Sequence, residues 1–526
     1  MHHPLSLAAA VRGASHVATG AHGVGFDGKR YIVTRTVSRA SQPSDLGVAG
    51  VVAELQGTLA VDQVVTHPHQ LRTYESDGLL QYKVTPGAVV LPSTAEEVRL
   101  IVRACYEARV PWVARGAGSG LSGGALPVSD GIVIALSRLT RILDVDLANQ
   151  RVVVEPGVTN IAVSQAVAPT HFYPPDPSSQ IVCSIGGNVA ENSGGAHCFK
   201  YGFTTNYVCG LEVVLADGEV ATLGGKELDP PGYDLIGAFV GSEGTLGIAT
   251  RIVLRVVPVP ATVKTMVAFF GSPEAAGGAV SAIVSSGAVP GAIEMMDQLS
   301  IQASEQAVHA GFPTDAGAAL IVELDGAVEE CEARFDGVLA ICRANGARET
   351  RVARDDIERA TIWKARKAAF ASMGRVATNY YVQDGVIPRT RLPEVLHRIT
   401  ELSEEYGMRV ANVFHAGDGN LHPLVCYDGD HEAERAEELA GRIVEACVDA
   451  GGSITGEHGV GFDKKRYMGK MFGEPDLAAF QKLRCAFDPD GLANPGKVMP
   501  TPRLCGEVPG PYRQHPLERA GLADRF

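Results

Sequence analysis

The stretch Arg115-Gly-Ala-Gly-Ser-Gly-Leu-Ser-Gly-Gly-Ala125 decides how this chain is read, and five of its eleven residues are glycine. Without Cβ atoms, backbone N–H groups can approach an anion closely and point at it. Arg115 and the serines supply further donors. Inside the stretch, Gly118-x-Gly120-x-x-Gly123 satisfies the dinucleotide fingerprint, and Asp144 lies about where a ribose-binding acid belongs. That fingerprint has meaning only where a helix follows within a βαβ unit. Here Pro127 and the apolar strand from Gly131 leave no room for a helix. The Rossmann reading fails on context, and an anion cradle between two strands survives it. A flexible linker is the competing reading; the tight placement between strands speaks against it.

The segments around the cradle read as a β-rich lobe. Val89-Val-Leu91 is a short strand, and Thr94 with Glu97 has capping-box spacing. Val98, Ile101, Val102 and Cys105 then recur as one helical face. Further strands are expected at Pro111–Ala114, Ile132–Leu136, Val152–Val154 and Leu211–Leu215, the last ending at the hairpin signal Asp217-Gly218. Two more glycine-dense segments share this lobe. One runs from Pro174-Pro-Asp-Pro-Ser178 through Cys183-Ser-Ile-Gly-Gly-Asn188 and Asn192-Ser-Gly-Gly195 to Lys200-Tyr-Gly202. The other is Gly241-Ser-Glu-Gly-Thr-Leu-Gly-Ile248. Such clusters are often only turns, but three in one lobe argue for a long ligand lying along backbone.

The second half alternates strands and helices, as an α+β lobe does. A strand over Ala319–Leu324 precedes a helix with Val328, Cys331, Phe335, Val338, Leu339 and Cys342 inward, ending near Gly346. A strand–turn–strand unit covers Arg409–Tyr427, and another helix runs from about Glu432 to Ala450. His415-Ala-Gly-Asp-Gly-Asn-Leu-His422 brackets the turn, so a hairpin would set the two histidines side by side. Gly456-Glu-His-Gly459 follows in a glycine-framed loop. Two histidines and a carboxylate make a ligand set for a divalent transition metal with open positions, leaving His458 as a free base beside it. With fifteen histidines in the chain, a chance pair seven apart stays open at this stage.

Composition sets outer limits. At 526 residues the chain is about twice the size at which one core stops growing, so two or three lobes are expected. A net charge of -14 leaves no basic surplus for a nucleic acid. No apolar run reaches membrane-span length, and Met1-His-His-Pro4 opens no secretory signal. Ten cysteines without a C-x-x-C pair exclude a local iron–sulfur run or zinc knuckle, and free thiols in a reducing compartment are expected. Residues 1–45 read as an extension outside the functional chain. Within them Thr19–Tyr31 repeats Thr455–Tyr467, differing at only two of thirteen positions, with Ala21 in place of Glu457. A fused or read-through fragment of a related coding sequence accounts for it. The tail 501–526 is rich in Pro and Gly.

The three glycine segments together resemble the FAD domain of the vanillyl-alcohol-oxidase/p-cresol-methylhydroxylase flavoprotein family. From about Gln56 to Pro500 the chain is similar to the flavin subunit of glycolate oxidase and to the related D-lactate and D-2-hydroxyglutarate dehydrogenases. The resemblance implies a two-subdomain FAD-binding lobe over 46–260 and an α+β substrate (cap) and metal-site lobe over 261–500. It implies FAD contacts at Arg115, Gly116, Ala117, Gly118, Ser119, Gly120, Leu121 and Ser122, and at Pro175, Asp176, Ser184, Ile185, Gly187, Asn188, Asn192, Gly194 and Gly195. Glu243, Gly247, Ile248 and Asn494 complete that set. The cradle has no histidine, so the FAD is expected to be non-covalent. The same resemblance implies zinc or manganese at His415, His422 and Glu457, His458 as catalytic base, and Arg366 as the grip on a substrate carboxylate. Tyr380-Tyr-Val-Gln-Asp384 and Pro388-Arg389 match the family as pocket lining. A solvated basic face holding Arg366 and Lys367 is the blander reading of that helix.

The implied reaction is oxidation of a small 2-hydroxy acid, D-lactate or glycolate, to the 2-keto acid, with hydride passing to flavin. Alternatives are a D-2-hydroxyglutarate-type dehydrogenase, another flavin oxidase of this fold and, from a different class, a metallohydrolase. A non-catalytic binding protein ranks last. No lysine stands near Val382, where relatives that take larger substrates carry one. Electrons are expected to leave to a separate acceptor: an iron–sulfur subunit, a quinone or a soluble carrier. A cytoplasmic location, peripheral to the membrane through such a partner, fits these readings, and a homodimer is among the assemblies left open.

Overall fold

The structure is a computed structural model that describes residues 47–227 and 231–500. The extension 1–45 with its repeat, and the tail 501–526, lie outside the described residues.

Local sequence signals build the first sheet. Thr94 accepts the N–H of Glu97 at 3.1 Å, and the Glu97 carboxylate turns back to the N–H of Ser93 at 2.6 Å. The reciprocal cap therefore closes one residue earlier than the spacing predicts. The helix it starts, Ala95–Glu107, buries Val98, Ile101, Val102 and Cys105. Against it lies a four-stranded sheet in the order Val64–Val65, Ala88–Val90, Ile132–Ala135, Trp112–Arg115, the last three running parallel. Ile132–Ala135 is central and wholly buried, which is why it reads as an uninterrupted apolar run rather than an alternating one. Two parallel neighbours ordinarily need a helical crossover. Between Arg115 and Ile132 no helix forms, so the glycine loop itself makes the crossover. On the free edge of Trp112–Arg115 the chain returns: Trp112 donates to Leu492 O at 3.0 Å, and Asn494 donates to Trp112 O at 2.8 Å.

A five-stranded antiparallel sheet follows, ordered Ile142–Asp146, Arg151–Val154, Ile248–Arg255, Val208–Val214, Val220–Gly224. The Asp217-Gly218 turn joins the last two, with Gly218 at φ +81. The cap sheet begins at Thr262. There Thr262–Phe270 pairs with Ala318–Gly326, which pairs with Ala292–Asp297, which pairs with Val410–His415. This register sets Glu294 directly opposite His415. Helices including Val328–Ala344, Leu392–Tyr406 and Ala433–Asp449 bury one apolar cluster against the sheet, and Asp356–Ser372 packs in another.

Two expectations change. Val328 starts its helix 42 % exposed instead of facing inward, because the first position of a helix lies beyond the edge of the face that Cys331, Phe335 and Val338 bury. Eight described cysteines are free, but Cys485 is disulfide-bonded; a search for C-x-x-C spacing sees only cysteines three positions apart. Among the described residues, no helix is long and apolar enough to cross a membrane.

Candidate functional site

The three glycine segments converge on one cavity of about 1210 Å³. Arg115, Gly116, Ala117, Gly118, Ser119, Gly120 and Leu121 line it from the first segment, Ser184, Gly187, Asn188 and Gly194 from the second, and Glu243, Gly247 and Ile248 from the third. Glu457 and His458 line it from the cap. The cradle is built for close backbone approach. Gly118 has φ +69, and a Cβ there would fall 2.3 Å from Nη2 of Arg115. Arg115 is in turn fixed by donating to Ser76 O at 2.7 Å.

The remaining residues expected to contact the cofactor stand behind this wall and hold it. Asn494 donates from Nδ2 to Gly124 O at 2.9 Å and to Glu243 O at 2.6 Å, tying the first and third segments together. Pro175 gives its carbonyl to Asn160 at 2.9 Å. Asp176 binds His197 Nδ1 at 2.8 Å, and Gly195 packs against the backbone of Asp176. Asn192, in the left-handed conformation, caps the helix Ile185–Glu191, and Ile185 itself is buried. Ser122 is buried, and its carbonyl accepts the N–H groups of Phe462 at 3.0 Å and Asp463 at 3.1 Å.

That last contact joins the cradle to the loop carrying Glu457 and His458, and Glu243 adds a second link. Its carboxylate accepts the N–H groups of Val460 and Gly461, each at 2.6 Å. Burial raises the Glu243 pKa to about 7, and burial with the charge of Glu243 raises that of Glu191 further from its ordinary value. A third anchor is Asp384, expected as pocket lining but found beneath the loop. Fully buried, it accepts from Thr455 Oγ1 at 2.5 Å, from the His458 N–H at 2.9 Å and from Lys464 Nζ at 3.1 Å. Burial works against its charge, but Lys464, His458 and His422 outweigh burial and hold its pKa below the ordinary value.

Held this way, the histidine and carboxylate groups converge. His415 and His422 stand edge to face with centroids 5.1 Å apart, and His458 stacks on His422 at 4.9 Å. The residue directly opposite His415 in the hairpin is Asn420; His422 sits just before the strand Pro423–Tyr427. Nε2 of His422 lies 3.1 Å from Glu457 Oε1, and Nε2 of His415 lies 3.5 Å from it. The outer nitrogens are engaged elsewhere, His415 Nδ1 with Glu294 Oε1 at 2.7 Å and His422 Nδ1 with Gln383 O at 3.4 Å. These partners leave both Nε2 atoms directed at Glu457, where a metal would take the place of a proton. His422 Nε2 and Glu457 Oε2 are buried without a hydrogen-bond partner. Burial disfavours a charged His415, yet Glu294 and Glu457 outweigh it and hold the pKa well above the ordinary value. A pocket that favours positive charge and aims unclaimed donor atoms inward fits a divalent cation. His458 differs: burial first, with His422 and Lys464, pushes its pKa down to about 4, so its imidazole is neutral. Asn420, also buried, leaves both amide atoms without a hydrogen bond.

Arg366 is 2 % exposed, so the solvated-face reading fails for it, while Lys367 beside it is exposed. Its Nη2 lies 2.6 Å from Glu294 Oε2, and its Nε and Nη2 make no hydrogen bond of good geometry. One turn on, the ring of Phe370 stands 5.9 Å from that of His422 and within 6.0 Å of the guanidinium, lining the cavity. Trp363 donates its indole N–H to Glu323 at 2.7 Å. Tyr380 and Val382 line the cavity; Tyr381 is turned inward onto Asp463, and Arg389 donates to Gly417 O at 3.0 Å. Sequence reasoning missed Glu294, Glu191 and Phe370. The one signal for Glu294 was an isolated acid in the apolar strand Ala292-Ile-Glu-Met-Met296.

Comparison with known proteins follows this geometry closely. The family described as "FAD binding domain" matches residues 86–224, and "FAD linked oxidases, C-terminal domain" matches residues 259–498. The glycolate oxidase subunit GlcD of Escherichia coli strain K12 is 48% identical over 456 residues, covering 86% of this chain and 91% of that protein. The chain belongs to the FAD-linked oxidases. This FAD-linked oxidase is also 32% identical to a D-lactate dehydrogenase of Anaerostipes hadrus, over 79% of this chain and 90% of that protein. In fold it is similar to p-cresol methylhydroxylase with substrate bound, at TM-score 0.73 and 18% identity, covering 86% of this chain and 96% of that one. The FAD-linked oxidase is thus a flavin-dependent oxidoreductase whose FAD domain carries the glycine cradle.

Proposed function

We propose that this FAD-linked oxidase oxidises a small 2-hydroxy acid, D-lactate or glycolate, to the 2-keto acid. The observation that carries the reading is that Glu457 and His458, which stand against the buried pair His415 and His422, line the same cavity as the glycine segments. Relatives named glycolate oxidase subunit and D-lactate dehydrogenase support the substrate class. Family membership displaces the metallohydrolase alternative.

Arg366 binds the substrate carboxylate through its guanidinium, whose Nε makes no hydrogen bond, a task suited to that planar group. His415, His422 and Glu457 would hold a divalent metal, zinc or manganese, which would supply Lewis-acid chemistry when bound. His458 accepts the hydroxyl proton. FAD, held non-covalently, supplies the two-electron sink for the hydride leaving C2. The substrate gives up one hydride and one proton in all. The peptide's part is to orient C2 and to keep His458 within reach through Asp384 and Glu243.

The electrons then pass to a separate acceptor, since the sequence has no C-x-x-C pair for an iron–sulfur cluster, and the Escherichia coli relative is named as a subunit. The test is anaerobic mixing with D- and L-2-hydroxy acids. Bleaching of the flavin absorbance by D-lactate or glycolate is expected; a flavin that none of them reduces contradicts the proposal.

A further inference from the structure

Glu294 lies outside every motif, does not line the cavity and is 0 % exposed. Its two oxygens serve two different parts of the site. Oε1 accepts from Nδ1 of His415 at 2.7 Å, across the register that sets Glu294 opposite His415. Oε2 lies 2.6 Å from Nη2 of Arg366, which arrives from the helix Asp356–Ser372. A single carboxylate therefore spans one residue of the candidate metal set and the candidate carboxylate grip.

We infer that Glu294 is the positioning residue that couples the two, setting the His415 tautomer for metal binding and the Arg366 orientation for substrate binding at once. The inference rests on the site reading proposed above. It follows from donor and acceptor counts. His415 presents an N–H, and Arg366 presents only N–H groups. A carboxylate can accept from both sides. An amide of the same shape has one acceptor and one donor, so it meets one neighbour donor to donor, and the displacement that follows draws its oxygen off the other. An aspartate keeps the charge but is one methylene too short to reach both. Loss of Glu294 must then weaken metal and substrate together, although it touches neither.

The flavin-loaded enzyme is the material for the test. Mn²⁺ binding to wild type and Glu294→Gln is measured by calorimetry. Substrate binding is taken from the saturation of the anaerobic bleaching rate with the 2-hydroxy acid that reduces wild type. A partner carboxylate on a metal-bound histidine typically contributes roughly 10- to 100-fold in metal affinity. The variant is expected to bind Mn²⁺ at least 10-fold more weakly and to need at least 10-fold more substrate, with FAD content unchanged. Both constants within about twofold of wild type, in a variant that keeps its FAD, overturn the inference. So does a loss confined to one of them. If Glu294→Gln fails to retain FAD, Glu294→Asp enters the same titrations; two weakened constants support the coupling, and unchanged ones overturn it. A wild type that binds neither Mn²⁺ nor a 2-hydroxy acid refutes the functional proposal instead.

Discussion

Replacing Asp384 by Asn probes how the site is held. Asp384 and Lys464 form an ion pair at 3.1 Å with both side chains 0 % exposed. The amide keeps the shape and one acceptor oxygen but leaves the Lys464 ammonium buried without its counter-charge. Breaking a buried pair by removing one partner costs about 3–5 kcal/mol. The amide nitrogen also faces a loop N–H, Glu457 or His458 depending on its orientation, and an orphaned buried donor costs about 1–3 kcal/mol more. Against a total stability of about 5–15 kcal/mol, that is a large fraction. Since the same oxygens place the 455–458 loop, a shift of about 1 Å at His458 should lower the bleaching rate by about 100-fold. The assay is urea unfolding followed by tryptophan and flavin fluorescence, beside stopped-flow bleaching. Asp384→Asn with Lys464→Met removes the stranded charge, so the double variant should regain stability without regaining rate. A single variant within about 1 kcal/mol of wild type, or a double variant no more stable than the single one, refutes the reasoning.

Further outcomes follow from the same geometry. Gly118→Ala forces a side chain into a φ of +69, at about 1–2 kcal/mol. FAD titration of the apoprotein should show roughly 5- to 30-fold weaker binding, and unchanged affinity would mean the cradle is misplaced. His197 is held by Asp176 and Glu323, which outweigh burial and raise its pKa to about 10. Its contribution of a few kcal/mol is therefore complete below about pH 6.5 and is lost as the pH climbs through about 10. Melting temperature should fall across that window, less steeply in His197→Gln, and an identical slope would sink the assignment. Phe370→Ala opens space beside Arg366 and His422. The ratio of kcat/KM for a longer 2-hydroxy acid to that for glycolate should rise about 10-fold or more; a constant ratio removes Phe370 from the specificity wall.

Features coded by neighbours along the chain were legible in the sequence. The cap at Thr94, the helical face ending at Cys105 and the glycine cradle all depend on residues within one or two turns. The absence of a helix after Gly124, which removed the nucleotide fingerprint, was readable from Pro127 and the strand from Gly131. The turn between His415 and His422 was readable too, though its register was not, since Asn420 rather than His422 stands opposite His415. Glu294 could not be found locally, because its partners lie 72 and 121 residues away, at Arg366 and His415, and meet it only through helix packing and sheet register. Asp384 matched a family segment, but nothing in the sequence says that it faces the loop rather than the cavity. Six expected cofactor contacts, Ser122, Pro175, Asp176, Ile185, Asn192 and Gly195, share segments with lining residues, and Asn494 comes from a separate segment; local sequence does not separate wall from buttress.

The most direct test of the account is anaerobic reduction of His458→Ala. His458 lines the cavity from a loop anchored by Asp384 and Glu243, so its truncation leaves the cradle intact. The account predicts a yellow protein with wild-type FAD content whose flavin D-lactate or glycolate no longer bleaches. Bleaching at the wild-type rate would contradict it.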